Sequence, residues 1–456
     1  MRFRSIVFAL ALALVPVLAG AAERLIIDHV TVIEGTDRAP QPDMAVIIDG
    51  AQIAAVTPSQ LAGNESGRRI DARGKYLIPG LFDVHIHLRG AAQPSGPNVK
   101  WDDASRGEAL GALASYLYSG VTTVFDAGNF PKLILPLRAD ERAGKILSPR
   151  IFATGNAITY PGSHGDRISI GISDFEKDKA LLDAHIAEQQ PDMVKLMMDE
   201  EGWGSRPMIT LLTADLAEKV VRYYNQHGIR TTAHTSNEFR ALEAIYAGLD
   251  TLAHPVIQGP VSDSFVKLMA AKKIPFASTL TIGENYSRLA EHPEYLDQPL
   301  YAASLTVAER NKLKTETAAE FRARTWTTWM KIMTPIAQEN IRKIHAAGGV
   351  VACGTDQSSG PAVHRELELL AAAGIAPLDV IRIATYNSAV FLGKADQLGS
   401  VQVGRFADLV MLDADPAVSV DNVKAIALVM KNGEIIDESK LPLAGGKKKA
   451  RFTAGR

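Results

Sequence analysis

The sequence predicts an α/β chain: a (β/α)8 TIM-like barrel with a small β-sandwich domain formed from both chain ends. Three observations predict it. The middle of the chain alternates strand-like and helix-like patterns through eight strands. The two ends are instead short β-branched runs divided by turn residues. The length of 456 residues, 46% of them hydrophobic, suits a barrel of roughly 250–350 residues plus a smaller module.

Residues 1–22 read as a signal peptide. Arg2 and Arg4 precede an apolar run over 6–18 that only Pro16 interrupts, and Ala19-Gly20-Ala21-Ala22 offers small residues for cleavage. The run is short for a bilayer span. The expectation is a periplasmic or secreted protein with no stable membrane insertion after signal removal; an uncleaved anchor is the alternative. Residues 23–76 form the first part of the β-sandwich, with strands at 25–27, 30–33 and 45–48 and a hairpin signal at Asp49-Gly50. Its second part is 396–440, with strands at 408–412 and 426–430 and a turn at Lys431-Asn432-Gly433. A basic tail, 441–456, follows.

The barrel is expected over 77–395. Strand one covers 77–87, and a helix over 104–119 stops at Gly120. Strand two is 121–125, with a helix ending near Gly144; strand three begins at 151–153 and is followed by a helix over 174–190. Strand four is 193–197, and its helix runs 213–226 between an N-cap at Thr213 and a stop at Gly228. Strand five is 230–234, with a helix over 237–247; strand six is 251–254 and strand seven 275–281. A helix over 335–347 leads to strand eight at 350–355, and helices over 363–373 and 377–392 complete the set. An open doubly wound sheet is the runner-up. The long polar stretch 285–333, with Trp326 and Trp329, breaks the rhythm. It reads as a lid or substrate wall, or as surface decoration or an oligomer contact; a homo-oligomer stays open.

The net charge of −2 carries no nucleic-acid footprint. Cys353 is the only cysteine, so neither an intrachain disulfide nor a cysteine zinc site can form.

Asp83-Val84-His85-Ile86-His87 is the first chemical signal. Residues i and i+2 of a strand face one side, so His85 and His87 can bind one metal. Alone this is weak. Its strength comes from Lys195, His234, His254 and Asp356, each in or at the end of a separate predicted strand. Parallel barrel strands end on one rim, and four histidines, an aspartate and a lysine suit a borderline divalent ion such as zinc. An ammonium repels a cation, but a Lys amine of depressed pKa can react with carbon dioxide to give a carbamate, whose two oxygens can bridge two cations. The plain alternative is a Lys195 that points outward or pairs with an acid such as Asp356.

These residues resemble the amidohydrolase superfamily over nearly the whole chain after the leader. The carriers are Pro79-Gly80-Leu81-Phe82-Asp83-Val84-His85-Ile86-His87, Lys195, Thr232-Ala233-His234, Leu252-Ala253-His254-Pro255 and Gly354-Thr355-Asp356, with Thr385-Tyr386-Asn387-Ser388-Ala389 and Val403-Gly404-Arg405-Phe406-Ala407-Asp408-Leu409-Val410. The resemblance is to the binuclear carboxylated-lysine class, with imidazolonepropionase-like and prolidase- or ochratoxinase-like members. It implies two divalent ions, with His85, His87 and Asp356 on one, His234 and His254 on the other, and a carbamate on Lys195 bridging. Ser163 stands where a second glycine is usual in Gly162-Ser163-His164-Gly165-Asp166.

The activity this implies is hydrolysis of an amide-type small-molecule substrate: an N-acyl amino acid, an Xaa-Pro-like dipeptide or a cyclic amide. A hydroxide held by two cations attacks, and Asp356 moves the proton, unless Asp356 is a ligand only. His164, on the same rim, could hydrogen-bond the carbonyl oxygen, or merely stabilise its turn. Tyr160, Tyr286 and Arg288 are candidate substrate contacts, Arg288 toward a carboxylate, against a surface reading for the arginine. Trp101, Trp326 and Trp329 are wall or core aromatics, and Asp126 faces the rim without a metal role. Competing readings are a mononuclear deaminase or ring hydrolase, with Lys195 a bystander, and a catalytically silent binding protein.

Overall fold

Residues 77–87 read as one strand, but the structure divides them at Gly80. Tyr76–Pro79 belongs to a sheet of the chain ends and Leu81–Ile86 to the central region. A Cβ at position 80 would stand 2.0 Å from the Thr122 hydroxyl, so only glycine lets the chain cross there. The structure, a computed structural model, describes residues 24–90, 103–200, 208–446 and 451–452. The leader 1–22, Trp101 and Lys447 to Lys449 of the basic tail lie outside the described residues.

The central strands form two parallel sheets. One has Leu81–Ile86, Val121–Asp126 and Arg150–Ala153. The other has seven strands, in the order Ser169–Gly171, Ala157–Thr159, Met193–Met197, Arg230–His234, Thr251–Leu252, Phe276–Ala277 and Val351–Ala352. Backbone hydrogen bonds join them at two seams. Val84 N–H donates to Cys353 O (2.9 Å) and Asp356 N–H to His85 O (2.7 Å) at one, and Asp192 N–H to Ala153 O (3.0 Å) at the other. The arrangement is TIM-barrel-like, with helices between successive strands.

Several elements differ from expectation for local reasons. Strand three breaks at Gly155, whose φ of +71° is the left-handed region that favours glycine. Strand seven stops at Ala277, because Glu366 caps the next helix, accepting from Leu280 N–H (2.9 Å) and Thr281 N–H (2.7 Å). A helix unread in the sequence, Asp263–Lys272, follows strand six; the Ser262 hydroxyl caps it by accepting from Phe265 N–H.

The 285–333 stretch is largely helical. Leu280–Glu291, Pro299–Ser304, Val307–Lys312 and Ala318–Ala323 lead into Thr325–Ala346. The expected helix over 335–347 therefore begins ten residues earlier, with Pro335 inside it. Trp326, Met330, Met333 and Ala337 recur at helical spacing and pack on the main apolar cluster. The packing of that face carries the helix through the proline.

Both chain ends build one eight-stranded sheet. Its order is Glu434–Ile435, Ile426–Lys431, Leu409–Leu412, Tyr76–Pro79, Leu25–Val32, Gln41–Asp49 and Gln52–Pro58, with Arg68–Asp71 beside Leu25–Val32. Beyond its last strand Ile53 N–H donates to Arg405 O (2.9 Å) and Ala407 N–H to Ala51 O (2.8 Å), so the sheet curls toward the segment leading into Leu409. Its own core includes Ile27, Val46, Leu77, Leu409 and Met430.

Candidate metal centre

Strand alternation places Lys195. Within Met193–Met197, Val194 and Leu196 pack in the large cluster that also holds the surrounding helices, while Met193 packs with Phe82 and Val84 in a separate interior cluster. Lys195 shares the Met193 face. It is fully buried, and its Nζ lies 2.9 Å from His85 Nε2. Burial pulls the amine down to about 8, opposed by Asp356 and Asp126. The next strand is in register with Met197 opposite His234, at its rim end.

His85 and His87 are held by their far nitrogens. His85 Nδ1 donates to Ala253 O (2.8 Å) and His87 Nδ1 to Gly128 O (2.6 Å). A carbonyl accepts only, so the proton sits on Nδ1 and the lone pair on Nε2. Those Nε2 atoms face Asp356 Oδ1, at 4.0 Å from His85 and 3.6 Å from His87. His254 meets the Thr279 hydroxyl through Nδ1 at 2.9 Å. Burial, then the Lys195 charge, holds the His85 and His87 imidazoles well below their usual value. Burial does the same at His234 and His254, ahead of neighbouring charges. All four are therefore neutral, the form that ligates a metal.

The rings are contiguous. Centroids are 4.4 Å apart for His85 and His254, 4.4 Å for His234 and His254, and 4.4 Å for His164 and His234. Ligand atoms of His85, His254 and Asp356 lie within 4.8 Å of one another. Neutral imidazoles and a carboxylate converge as a borderline divalent ion requires, and the buried amine beside them is of lowered basicity, the condition for a carbamate, so the residues fit such a group. Burial pushes the Asp356 carboxyl up to about 6, against the Lys195 and Arg89 charges.

The structure thus brings together His85, His87, Lys195, His234, His254, Asp356 and His164. Tyr286 stacks on Phe321 (4.8 Å) and meets Trp326 edge-on (6.3 Å). Burial pushes its hydroxyl up, with Asp356 and Arg89 close enough to bear on it. Tyr160 packs against the main apolar cluster, where no described contact joins it to the histidines. Arg288 is engaged within its own segment. It shares the Leu280–Glu291 helix with Tyr286, but residues two apart on a helix do not share a face. Its guanidinium lies 3.8 Å from the Tyr295 ring centroid and donates to the Tyr301 hydroxyl (3.2 Å). Trp329 is exposed.

Sequence reasoning gave no role to Asp83, Arg89 or Glu366. Asp83 is fully buried and accepts from Thr355 N–H (2.9 Å) and the Thr355 hydroxyl (2.6 Å). It thereby braces the turn in which Asp356 takes a φ of +54°. Arg89 continues the spacing of His85 and His87 and is 8% exposed; it donates to His87 O (3.3 Å). The period-two pattern could have found it. Glu366 is also fully buried, and it holds the helix that starts beside Thr279. Asp126 is a brace too, accepting from Leu88 N–H and the Asn129 amide, each at 2.8 Å.

Comparison with known proteins identifies the class to which this fold and cluster belong. The Amidohydrolase family profile matches residues 76–436, and the chain belongs to that family. It is therefore an enzyme of the hydrolase class. The enamidase of Eubacterium barkeri is 23% identical over 429 residues, covering 89% of this chain and 93% of that protein. The adenine deaminase of Mesorhizobium japonicum (strain LMG 29417 / CECT 9101 / MAFF 303099) is 22% identical over 424 residues, covering 89% of this chain but 55% of its own length. Among solved structures, a Xaa-Pro dipeptidase with bound methionine superposes with a TM-score of 0.73 at 21% identity, over 91% of this chain and 99% of that one. That likeness is one of fold.

Proposed function

We propose that the chain hydrolyses an amide-type C–N bond in a small acidic substrate, such as an N-acyl amino acid or Xaa-Pro-like dipeptide, with a cyclic amide as a further member of the class. The observation that carries the reading is the pair of Nδ1–carbonyl hydrogen bonds, which fixes the Nε2 lone pairs of His85 and His87 toward Asp356 and Lys195. His85, His87 and Asp356 would hold one divalent ion, and His234 and His254 a second, with Lys195 between them as a carbamate; zinc fits these donors. Bound there, such ions supply Lewis acidity to water and to the scissile carbonyl.

The chain's own residues then manage protons and position. Asp356 Oδ takes the proton that water loses as its oxygen bonds to the carbonyl carbon, and returns it to the nitrogen as the C–N bond breaks. His164, beside His234, donates to the carbonyl oxygen as charge develops there. Arg89 offers a buried cation on the Asp356 side, suited to a substrate carboxylate. Tyr286 and Trp326 wall the mouth and limit water. The two seams of hydrogen bonds support a closed (β/α)8 barrel, and the curled terminal sheet supports the sandwich; because Tyr76–Pro79 lies in that sheet, the first boundary moves from 76/77 to Gly80, and 396–440 and 441–456 stay as the second part and the tail. The Arg2 to Ala22 pattern supports a removed leader and a periplasmic or secreted enzyme.

The test is a screen of the zinc-loaded protein against N-acyl amino acids, Xaa-Pro dipeptides, lactams, lactones and aminopurines. Release of a free amine and a carboxylate, abolished by a chelator and restored by zinc, is the expected result. The adenine deaminase relationship favours a second reading, deamination. Ammonia released from an aminopurine, with every amide untouched, would replace the first reading by that one.

A further inference from the structure

Arg288 lines a cavity of about 450 Å³ outside the histidine cluster, within the range of small-molecule sites. Its walls come from the end of the Asp103–Tyr118 helix, the Leu280–Glu291 and Pro299–Ser304 helices, the Gly360–Ala372 helix and the terminal sheet. We propose that this cavity is a second binding site, for a small organic carboxylate with an apolar body.

Charge and its pairing argue the class. The lining carries Arg288, Arg365, Lys424 and Arg451 against Glu368 and Asp413. Three of the cations are engaged: Arg365 with Glu284 (2.8 Å) and Glu368 (2.6 Å), Lys424 with Glu368 and Asp421, Arg451 with Glu438. Arg288 forms no ion pair among the described residues. Its guanidinium is held over the Tyr295 ring and tethered to the Tyr301 hydroxyl, so it is pre-oriented and keeps N–H donors for a planar anion. Both lining carboxylates are already paired, Glu368 with Arg365 and Lys424 and Asp413 with Lys75, so the charge left to match is the single one on Arg288, which suits a monoanion. Tyr118, Leu300, Pro361 and Ile426 supply an apolar wall for the rest of the ligand.

The test is calorimetric titration of the full-length, zinc-loaded protein with sodium benzoate, benzamide and sodium phosphate. Benzoate binds wild type and Asp356→Asn with the same affinity. Arg288→Met weakens it by about tenfold or more, the loss of one charge-assisted pair. Arg288→Lys, which keeps the charge and guards against a misfolded variant, loses less, and benzamide and phosphate bind more weakly than benzoate. The proposal is overturned if benzoate produces no binding, if Asp356→Asn weakens it while Arg288→Met does not, or if phosphate binds in preference.

Discussion

Asp83 shows how a residue without a ligand role governs one that has it. Its carboxylate takes both the N–H and the hydroxyl of Thr355 and so fixes the left-handed turn at Asp356. An aspartate at φ of +54° is uncommon and persists only when its surroundings hold it. Asp83→Asn replaces one acceptor oxygen by a donor facing donors. Turnover should fall about 10–100-fold, as for partners that orient ligands, while circular dichroism reports an intact fold; unchanged kcat would remove Asp83 from the account. Lys195 and His234 were legible because each lies within a full strand whose alternation fixes a face. His254 and Asp356 lie beyond strands of only two residues; their places at the ends of predicted strands located them, and the motif resemblance then assigned them to ions. The 285–333 stretch gave no strand or helix assignment from its sequence, so the helix that puts Arg288 and Tyr286 on different faces was not legible.

At the scale of elements, Glu366 ties the Gly360–Ala372 helix to the start of Leu280–Glu291. It accepts two backbone N–H bonds and one from the Thr281 hydroxyl, and the residue before that helix, Thr279, meets His254. Glu366→Ala strands buried donors, so stability should drop by roughly 2 kcal/mol or more. Zinc affinity should weaken with it, as Thr279 loosens. Denaturant titration and zinc competition read the two effects, and a variant as stable and as tight as wild type would contradict the brace. The sequence shows the helix that Glu366 sits on but not its partner, because the contact joins segments more than eighty residues apart.

At the scale of the whole molecule, buried neutral histidines set an acid limit. Burial pulls His185, which bonds the Tyr224 hydroxyl and Thr154 O, down to about 4. It pulls His364, bonded to Ser119 O, to about 4 as well. Unfolded, each titrates near 6.5. Between those values the unfolded chain binds protons that the folded chain does not, so stability falls as pH drops from about 6.5 toward 4. Melting temperature across that window should decline, and His364→Gln should flatten the slope; a slope equal to wild type would remove His364 as a source. The alternation of strand and helix made the barrel-like middle legible, and paired β-rich ends the terminal sheet. The seams and the curl were not, since both depend on hydrogen bonds between distant segments. The proposed leader predicts a mature chain, periplasmic or secreted, whose first residue follows Ala22; Edman sequencing that finds Met1 would contradict it.

The central claim is that a buried lysine completes a two-ion centre. Plasma mass spectrometry of metal content, on wild type and Lys195→Ala purified alike, tests it most directly. The account predicts two divalent ions per wild-type chain and one or none in the variant, with turnover lost. Equal metal content and undiminished activity in the variant would contradict it.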